Sequence, residues 1–308
     1  MLMVVTASSC NRDDVVTITL EDEHYRPATA ASSPSWSRVV EYTPAPGQYI
    51  GDSEFVGFTG EELTAADAVA YATRRLSDGK FLSLGGFGGY VIVGFDHSVD
   101  NTTGYDIAVR GNAFNGSSEP GIVWVSQDTN GDGLANDVWY ELAGSDTMAE
   151  TTIRSYSVTY YRPEADGQPV KWIDSEGAEG EIDYLKAFHK QPSYYPTWIA
   201  TDTYTLTGTR LEARNYDSSG KGTMWVQPSY GWGYADNFSA EDYVEDDKTL
   251  NLFDIGNAID KDGMTAVLNY IDFVKVQTAC NAKSGWLGEQ STEVVDFLDY
   301  GLMLKRNE

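Results

Sequence analysis

Cysteine, histidine and basic residues are scarce in this chain, and each shortage excludes a class of site or partner. The 308 residues include two cysteines and three histidines, so a histidine-rich catalytic zinc site is not expected. Lysine and arginine total 21 against 47 aspartates and glutamates, which gives a net charge of −26. A nucleic-acid partner is therefore not expected, because no basic stripe is available to neutralise phosphates.

The cysteine shortage also excludes a disulfide framework. Only Cys280 lies within the predicted domain, so no internal disulfide can form. Cys280 follows an apolar strand pattern, which predicts a packed core cysteine with no catalytic role. Stability must then come from the hydrophobic core and from any bound metal.

The N-terminal ten residues form an apolar run that is too short to span a bilayer. The run ends in two small residues, Ser8 and Ser9, followed by Cys10. This ending is typical of a bacterial lipoprotein signal and predicts that Cys10 is acylated. The alternative interpretation is that Cys10 is an incidental cysteine in a ragged leader.

Aromatic residues and glycines are abundant, and both indicate strands and turns. The chain contains 20 tyrosines, 8 tryptophans and 30 glycines. Alternating segments joined by long loops predict an all-β fold, an antiparallel jelly-roll-like β-sandwich with long aromatic loops. One short helix is predicted from Thr64 to Leu76. The predicted organisation is a signal remnant over residues 1–10, a flexible tether over residues 11–38 and one ligand-binding domain over residues 39–308.

An acidic loop lies between two strand patterns, in the stretch PGIVWVSQDTNGDGLANDVWYEL. Oxygen-bearing side chains at alternate positions, followed by a glycine, can curl around one hard cation, and this spacing predicts a structural Ca²⁺ site. The twelfth position is a tryptophan, so another carboxylate must close the loop, with Asn136 or Glu141 as possible helpers. The alternative is a metal-free Asn/Asp/Gly turn. The predicted ligands are Asp128, Asn130, Asp132, Leu134 and Asp137.

Two loops with proline and glycine punctuation, residues 194–198 and 227–237, carry more aromatic surface than a solvated loop normally exposes. One interpretation is that these loops fold over the sandwich and bury their rings. The other is an aromatic platform that binds sugar rings or a ligand the size of a corrin. The candidate ligand-binding residues are Trp198, Tyr230, Trp232, Tyr234 and Trp286.

No catalytic residues are assigned. Acidic residues are abundant enough to include a glycosidase pair, but nothing in the sequence selects a particular pair. The protein is therefore predicted not to be an enzyme.

Four segments within residues 40–296 carry a resemblance to a known family: EYTPAPGQYI, GGFGGYVIVGFDHS, GNAFNGSSEPGIVWVSQDTNGDGLANDVWYEL and IDFVKVQTACNAKSGWLGEQSTEV. They resemble a family of cell-surface lipoproteins of Bacteroidota. Acidic residues after Cys10 are also similar to the export signal of surface-exposed lipoproteins in such bacteria. Some similar proteins are encoded beside outer-membrane transporters for cobalamin.

This resemblance implies a lipoprotein on the outer face of the outer membrane that captures a nutrient for a TonB-dependent transporter. Cobalamin (vitamin B12) is the first candidate for the ligand. A glycan is the second candidate, and a glycoside hydrolase or lyase is the rival from another class.

Overall fold

Short antiparallel strands are the main regular structure of the described chain, residues 23–307 of a computed structural model. Strands make up 34% of the residues and helices 9%, which confirms the predicted all-β class and is consistent with a sandwich. The two helices are α1 (Ala65–Ser77) and α2 (Tyr300–Asn307). The strands are β1 (Arg38–Thr43), β2 (Leu82–Ser83), β3 (Tyr90–Asp100), β4 (Ile107–Arg110), β5 (Gly121–Ser126), β6 (Trp139–Leu142), β7 (Ile153–Tyr161), β8 (Val170–Asp174), β9 (Glu179–Ile182), β10 (Thr203–Arg210), β11 (Tyr216–Asp217), β12 (Trp225–Val226), β13 (Tyr243–Val244), β14 (Asp247–Phe253), β15 (Ala258–Ile259), β16 (Tyr270–Thr278), β17 (Glu293–Val294) and β18 (Asp296–Asp299).

The largest sheet has six strands in the order β1-β3-β16-β5-β6-β15. Its central strand, β16, is buried on both faces, and Ile271, Phe273 and Val274 are fully buried there. The apolar residues of β16 are interrupted by the buried Asp272, which hydrogen bonds from other segments satisfy. The hairpin of β5 and β6 is attached directly to this strand, so the loop at its tip is anchored to the core.

A second sheet, in the order β10-β7-β8-β9, has its own apolar cluster on its inner face. Tyr156, Val158 and Tyr160 alternate along β7 and are all buried, as the period of two in a strand requires. A third sheet, β13-β14-β4-β18, completes the larger sheets of the described chain. The β8–β9 hairpin forms one edge of the second sheet and is one wall of the cleft described below.

The predicted helix is confirmed as α1. The Thr64 hydroxyl accepts a hydrogen bond from the Asp67 N–H, and the Asp67 carboxylate accepts one from the Thr64 N–H, which together form a capping box. Ala68, Tyr71 and Ala72 form its buried face. The second helix, α2, was not predicted, because an eight-residue element gives too few turns for a clear apolar period.

Part of the predicted flexible tether packs on the domain. The Arg26 guanidinium donates to the fully buried Asp272 carboxylate at 2.8 Å, and the Trp36 N–H donates to the Phe297 carbonyl at 3.0 Å. The prediction of a tether over residues 11–38 is therefore wrong for residues 23–38, which pack on the domain, with Arg38 already in β1. Polar composition suggested a free segment, but long-range hydrogen bonds fix it. Cys10 and residues 11–22 lie outside the described residues.

Neither helix in the described part of the chain is long and apolar enough to cross a membrane.

Candidate functional site

The acidic loop lies at the tip of the β5–β6 hairpin, as its flanking strand patterns predict. The Asp128 N–H donates to the Asp272 carboxylate at 2.8 Å, so the first residue of the motif is tied to β16. Gly133 has a φ of 74°, in the left-handed region that glycine adopts without strain. Its N–H donates to Asp128 Oδ2 at 2.9 Å, which curls the chain back toward the start of the motif.

Two carboxylate oxygens in this loop are buried and lack a hydrogen-bond partner within residues 23–307: Asp128 Oδ1 and Asp137 Oδ2. Asp128 is only 5% exposed. The Thr129 hydroxyl donates to the other oxygen of Asp137, which brings the end of the motif to its beginning. A buried carboxylate oxygen without a partner is costly, and a cation is one group that satisfies it. These two oxygens are therefore the candidate cation ligands of the loop.

The remaining predicted ligands lie on the exposed side of the loop. Asp132 accepts hydrogen bonds from the Leu134 N–H and from the amide groups of Asn136 and Asn130, and these bonds lower its pKa. The Leu134 side chain is 56% exposed, as expected where only its carbonyl is needed. Glu141 does not close the loop, because its carboxylate accepts a hydrogen bond from the Thr209 hydroxyl on β10. Asp137 is the carboxylate that the structure brings back to the start of the motif, at Thr129.

A second group of carboxylates, Glu119, Asp236 and Glu293, was not predicted. One oxygen of each lies within 4.8 Å of the others, close enough to hold a cation between them. Asp236 accepts hydrogen bonds from the N–H groups of Asn112 and Glu293 at 2.9 Å. Glu119 accepts one from the Gln227 amide at 2.8 Å. We call these three residues the carboxylate cluster.

Burial and mutual repulsion shift the titration of the carboxylate cluster. Burial raises the pKa of Glu119 to about 7, and burial together with repulsion from Glu119 raises that of Asp236 to about 8. The pKa of Glu293 is raised well above its ordinary value by burial and then by repulsion from Glu119 and Asp236. At neutral pH the cluster therefore either retains protons or holds a cation.

The predicted aromatic platform does not form. Trp198 is 7% exposed and packs against Tyr42 and Phe58 in the main core. Tyr230 and Tyr234 are 3% and 0% exposed and pack against each other, with ring centroids 5.6 Å apart. For these three residues the ligand-binding prediction is wrong, because their loops fold inward and their rings fill apolar clusters.

The other two predicted aromatic residues, Trp232 and Trp286, are not buried in these apolar clusters. Trp232 is half-buried, and Trp286 is 47% exposed, with its ring 6.0 Å from that of the exposed Phe188. The buried state of Cys280 confirms the prediction of a core cysteine. Its burial raises the pKa of the thiol to about 12, which keeps it protonated.

Two adjoining cavities flank the β8–β9 hairpin, with volumes of about 610 and 670 Å³. They share Lys171, Trp172, Glu179 and Gly180, and we call the combined space the Trp172 cleft. The indole of Trp172 lies against Gly180, where a Cβ atom would be only 2.3 Å from the ring. Any larger residue at position 180 would displace the indole from this position.

The first cavity of the cleft separates β8–β9 from the segment after β16. Glu289 lies in its wall and is 5% exposed. One carboxylate oxygen accepts a hydrogen bond from the Gln48 N–H at 2.8 Å, and the other, Oε2, is buried and has no partner in the described chain. Burial raises the pKa of Glu289 to about 7. The other residues of this wall include Phe87, Ile182, Asn281 and Lys283.

Neither a scan against protein-family models nor a search of curated proteins gives a match to this chain.

Proposed function

We propose that the protein is a calcium-stabilised, non-enzymatic binding protein, anchored through Cys10 to the outer face of the outer membrane. Its role is to capture an extracellular nutrient and pass it to a TonB-dependent transporter, and cobalamin is the first candidate ligand. The observation that carries the binding function is the Trp172 cleft. The anchor and the transporter rest on the lipoprotein-like N-terminus and on the resemblance to surface lipoproteins.

The size and lining of the cleft support a large polar ring as its ligand. Each cavity is within the range of small-molecule sites, and together they accommodate a ligand that spans the hairpin edge. The indole of Trp172 supplies an apolar face, while Glu179, Asn281 and Gln168 supply hydrogen-bonding groups. A corrin is a large ring that carries amide side chains, which this combination suits.

Calcium has a structural role in this proposal. Asp128 and Asp137 would provide the two buried oxygens, while Asn130, Asp132 and the Leu134 carbonyl would complete the shell from the exposed side. A bound ion would hold the tip of the β5–β6 hairpin and supply no chemistry of its own. The Asp128 N–H donates to Asp272 on β16, so an ion that holds the loop would also hold this contact with the sheet.

Two alternatives, a glycan-binding protein and a glycoside hydrolase, are each favoured by a specific observation at the same cleft. The indole of Trp172 is also suited to stacking against sugar rings, which favours a glycan. Glu289 favours a glycoside hydrolase, because a buried carboxyl with a pKa of about 7 is suited to general acid catalysis. A hydrolase would also need a second carboxylate, for which Glu179 and Glu181 line the cleft.

The binding proposal is tested by isothermal titration of the full-length chain with cyanocobalamin at fixed calcium. The chain would carry Cys10→Ser so that it is not acylated. We expect one-to-one heat, and Trp172→Ala should weaken binding by about tenfold or more, since loss of about 1.4 kcal/mol of ring contact is a factor of ten.

Phe114→Ala is the matched control, because this exposed aromatic residue does not line the cleft. Equal affinity of the Trp172→Ala and Phe114→Ala variants for cyanocobalamin would mean that the ligand does not bind in the cleft. An absence of heat would reject cobalamin, and the same sample would then be tested against polysaccharides with a reducing-end assay. Release of reducing ends would favour the hydrolase.

A further inference from the structure

A glutamate in the wall of the Trp172 cleft has a carboxylate oxygen that the protein itself does not satisfy. Glu289 Oε1 is fixed by the Gln48 N–H, so the carboxylate has one defined orientation. Its Oε2 is buried and unpartnered among residues 23–307. Such an oxygen needs a donor, and a donor from a ligand would satisfy it directly.

The charges around this carboxylate favour a positive donor. Three glutamates line the first cavity, namely Glu179, Glu181 and Glu289. Of the two lysines that line it, Lys283 donates to Asp183 at 2.9 Å and is thereby neutralised. The other lysine, Lys171, is the register partner of Glu181 across the hairpin. Three carboxylates against two lysines leave an excess of negative charge in the lining, so a cationic group gains more there than a neutral hydroxyl does.

A flat ring surface stands beside this carboxylate in the same cavity. Trp172 is half-buried, and its indole is held against Gly180. A sugar ring can pack on the indole while a substituent on the ring reaches the carboxylate. The cavity thus joins the two groups that select an amino-substituted ring: an aromatic face and a negative acceptor.

We infer that Glu289 is the specificity-determining group of the Trp172 cleft and that its Oε2 binds a positively charged nitrogen on a ring-shaped polar ligand. Amino sugars are the simplest ligands of this class. The inference rests on the proposed binding function of the cleft, and it favours the glycan candidate over cobalamin, whose ring carries neutral amide side chains.

The test compares three four-unit pyranose oligomers that differ only at the second carbon of each ring. The oligomers are cellotetraose, which carries a hydroxyl, the N-acetylglucosamine tetramer, which carries an acetamido group, and the glucosamine tetramer, which carries an ammonium group. Isothermal titration of the full-length Cys10→Ser chain should give about tenfold tighter binding of the glucosamine tetramer than of cellotetraose, or about 1.4 kcal/mol. This comparison needs no further substitution.

Glu289→Gln removes the charge but keeps an acceptor for the Gln48 N–H, and it should abolish the preference for the ammonium oligomer. Glu150→Gln, at an exposed position outside the cleft, is the matched control for the overall charge of the protein. Circular dichroism would confirm that both variants are folded.

Several results would overturn the inference. They are equal affinity for the three oligomers, a preference for the acetamido oligomer, an ammonium preference that survives in Glu289→Gln, and the absence of binding by all three. Heat from cyanocobalamin that is sensitive to Trp172→Ala would then still support the proposed binding function, so the two failures are distinguishable.

Discussion

The acidic loop and the carboxylate cluster gather the same kind of side chain in opposite ways. The loop takes its oxygens from one continuous stretch, residues 128–137, while the cluster joins Glu119, Asp236 and Glu293 from three distant segments. Hydrogen bonds lower the pKa of Asp132 in the exposed part of the loop, whereas burial raises the pKa values of all three cluster residues. An exposed carboxylate held by hydrogen bonds, such as Asp132, stays ionised, whereas carboxylates that folding brings together in the interior resist ionisation.

The two regions therefore differ in the source of their unfavourable electrostatic energy. In the loop, the unfavourable contribution is confined to two buried oxygens, Asp128 Oδ1 and Asp137 Oδ2, which a cation would satisfy. In the cluster, each negative charge also repels the other two. Either protonation or a bound cation can relieve this repulsion. Calcium removal and pH should therefore act on different regions.

The largest expected effect is that of calcium on the loop. Chelation should lower the free energy of unfolding by about 3–4 kcal/mol at calcium concentrations of 100 to 1,000 times the dissociation constant. Asp128→Asn should lower stability in calcium and remove most of the response to chelator, because it removes a charged ligand. Thermal unfolding with and without EGTA measures both effects.

Asp260→Asn is a matched control for this experiment, because Asp260 caps a different Asp/Gly turn through N–H groups of Asp262 and Met264. This variant should keep the full response to chelator. If Asp128→Asn and wild type respond equally to EGTA, the metal assignment of the loop is wrong.

The second effect concerns pH and the cluster. A carboxyl with a raised pKa binds protons more readily in the folded state, so its ionisation destabilises the fold as pH rises from about 4.5 through about 8. In EGTA, Glu119→Gln should therefore raise the free energy of unfolding at pH 8 by about 1–3 kcal/mol, and much less at pH 5. Urea unfolding of wild type and variant at both pH values measures this difference.

Lower stability of Glu119→Gln at pH 8 in EGTA would contradict this account of the cluster. Lower stability that appears only when calcium is present would instead show that the cluster itself holds the ion. The same variant thus separates protonation of the cluster from cation binding.

The smallest expected effect is at His97, which joins a neighbour in sequence to a distant residue. Its Nδ1 lies 2.6 Å from Asp96 and its Nε2 lies 2.8 Å from Asp299. Burial lowers the pKa of His97, but hydrogen bonds to Asp299 and Asp96 outweigh this and raise it above 6.5. The stabilisation is therefore complete below about pH 6.5 and is lost as pH rises through the folded-state pKa.

His97→Gln should cost more stability at pH 6 than at pH 9, because only the protonated imidazole gains from both carboxylates. Chemical unfolding of both proteins at the two pH values provides the measurement. A loss that is the same at both pH values would mean that the imidazole acts only by packing.

Local features of the fold could be predicted from the sequence. The β5–β6 hairpin with its acidic loop and helix α1 with its Thr64 cap each depend on residues within a few positions of one another. The all-β class follows from the same short-range alternation. The C-terminal helix α2 is local too, but it is too short to show a clear period.

Features that depend on distant contacts could not be predicted in this way. Glu119, Asp236 and Glu293 are unremarkable in sequence, and only the strand order brings them together. The aromatic loops were predicted to expose ligand-binding rings that the structure buries. Composition does not tell whether a ring such as Trp198 faces solvent or the core. The partner of Trp172 in the cleft, Gly180, is identified only by the hairpin register.

The most direct test of the account is calorimetric titration of the metal-free protein with calcium, with Asp128→Asn and Glu293→Gln compared with wild type. We predict that Asp128→Asn removes the tightest binding step and that Glu293→Gln retains it, because the loop supplies the unsatisfied oxygens of the primary site. Retention of that step in Asp128→Asn together with its loss in Glu293→Gln would place the ion in the carboxylate cluster and contradict the assignment of the loop.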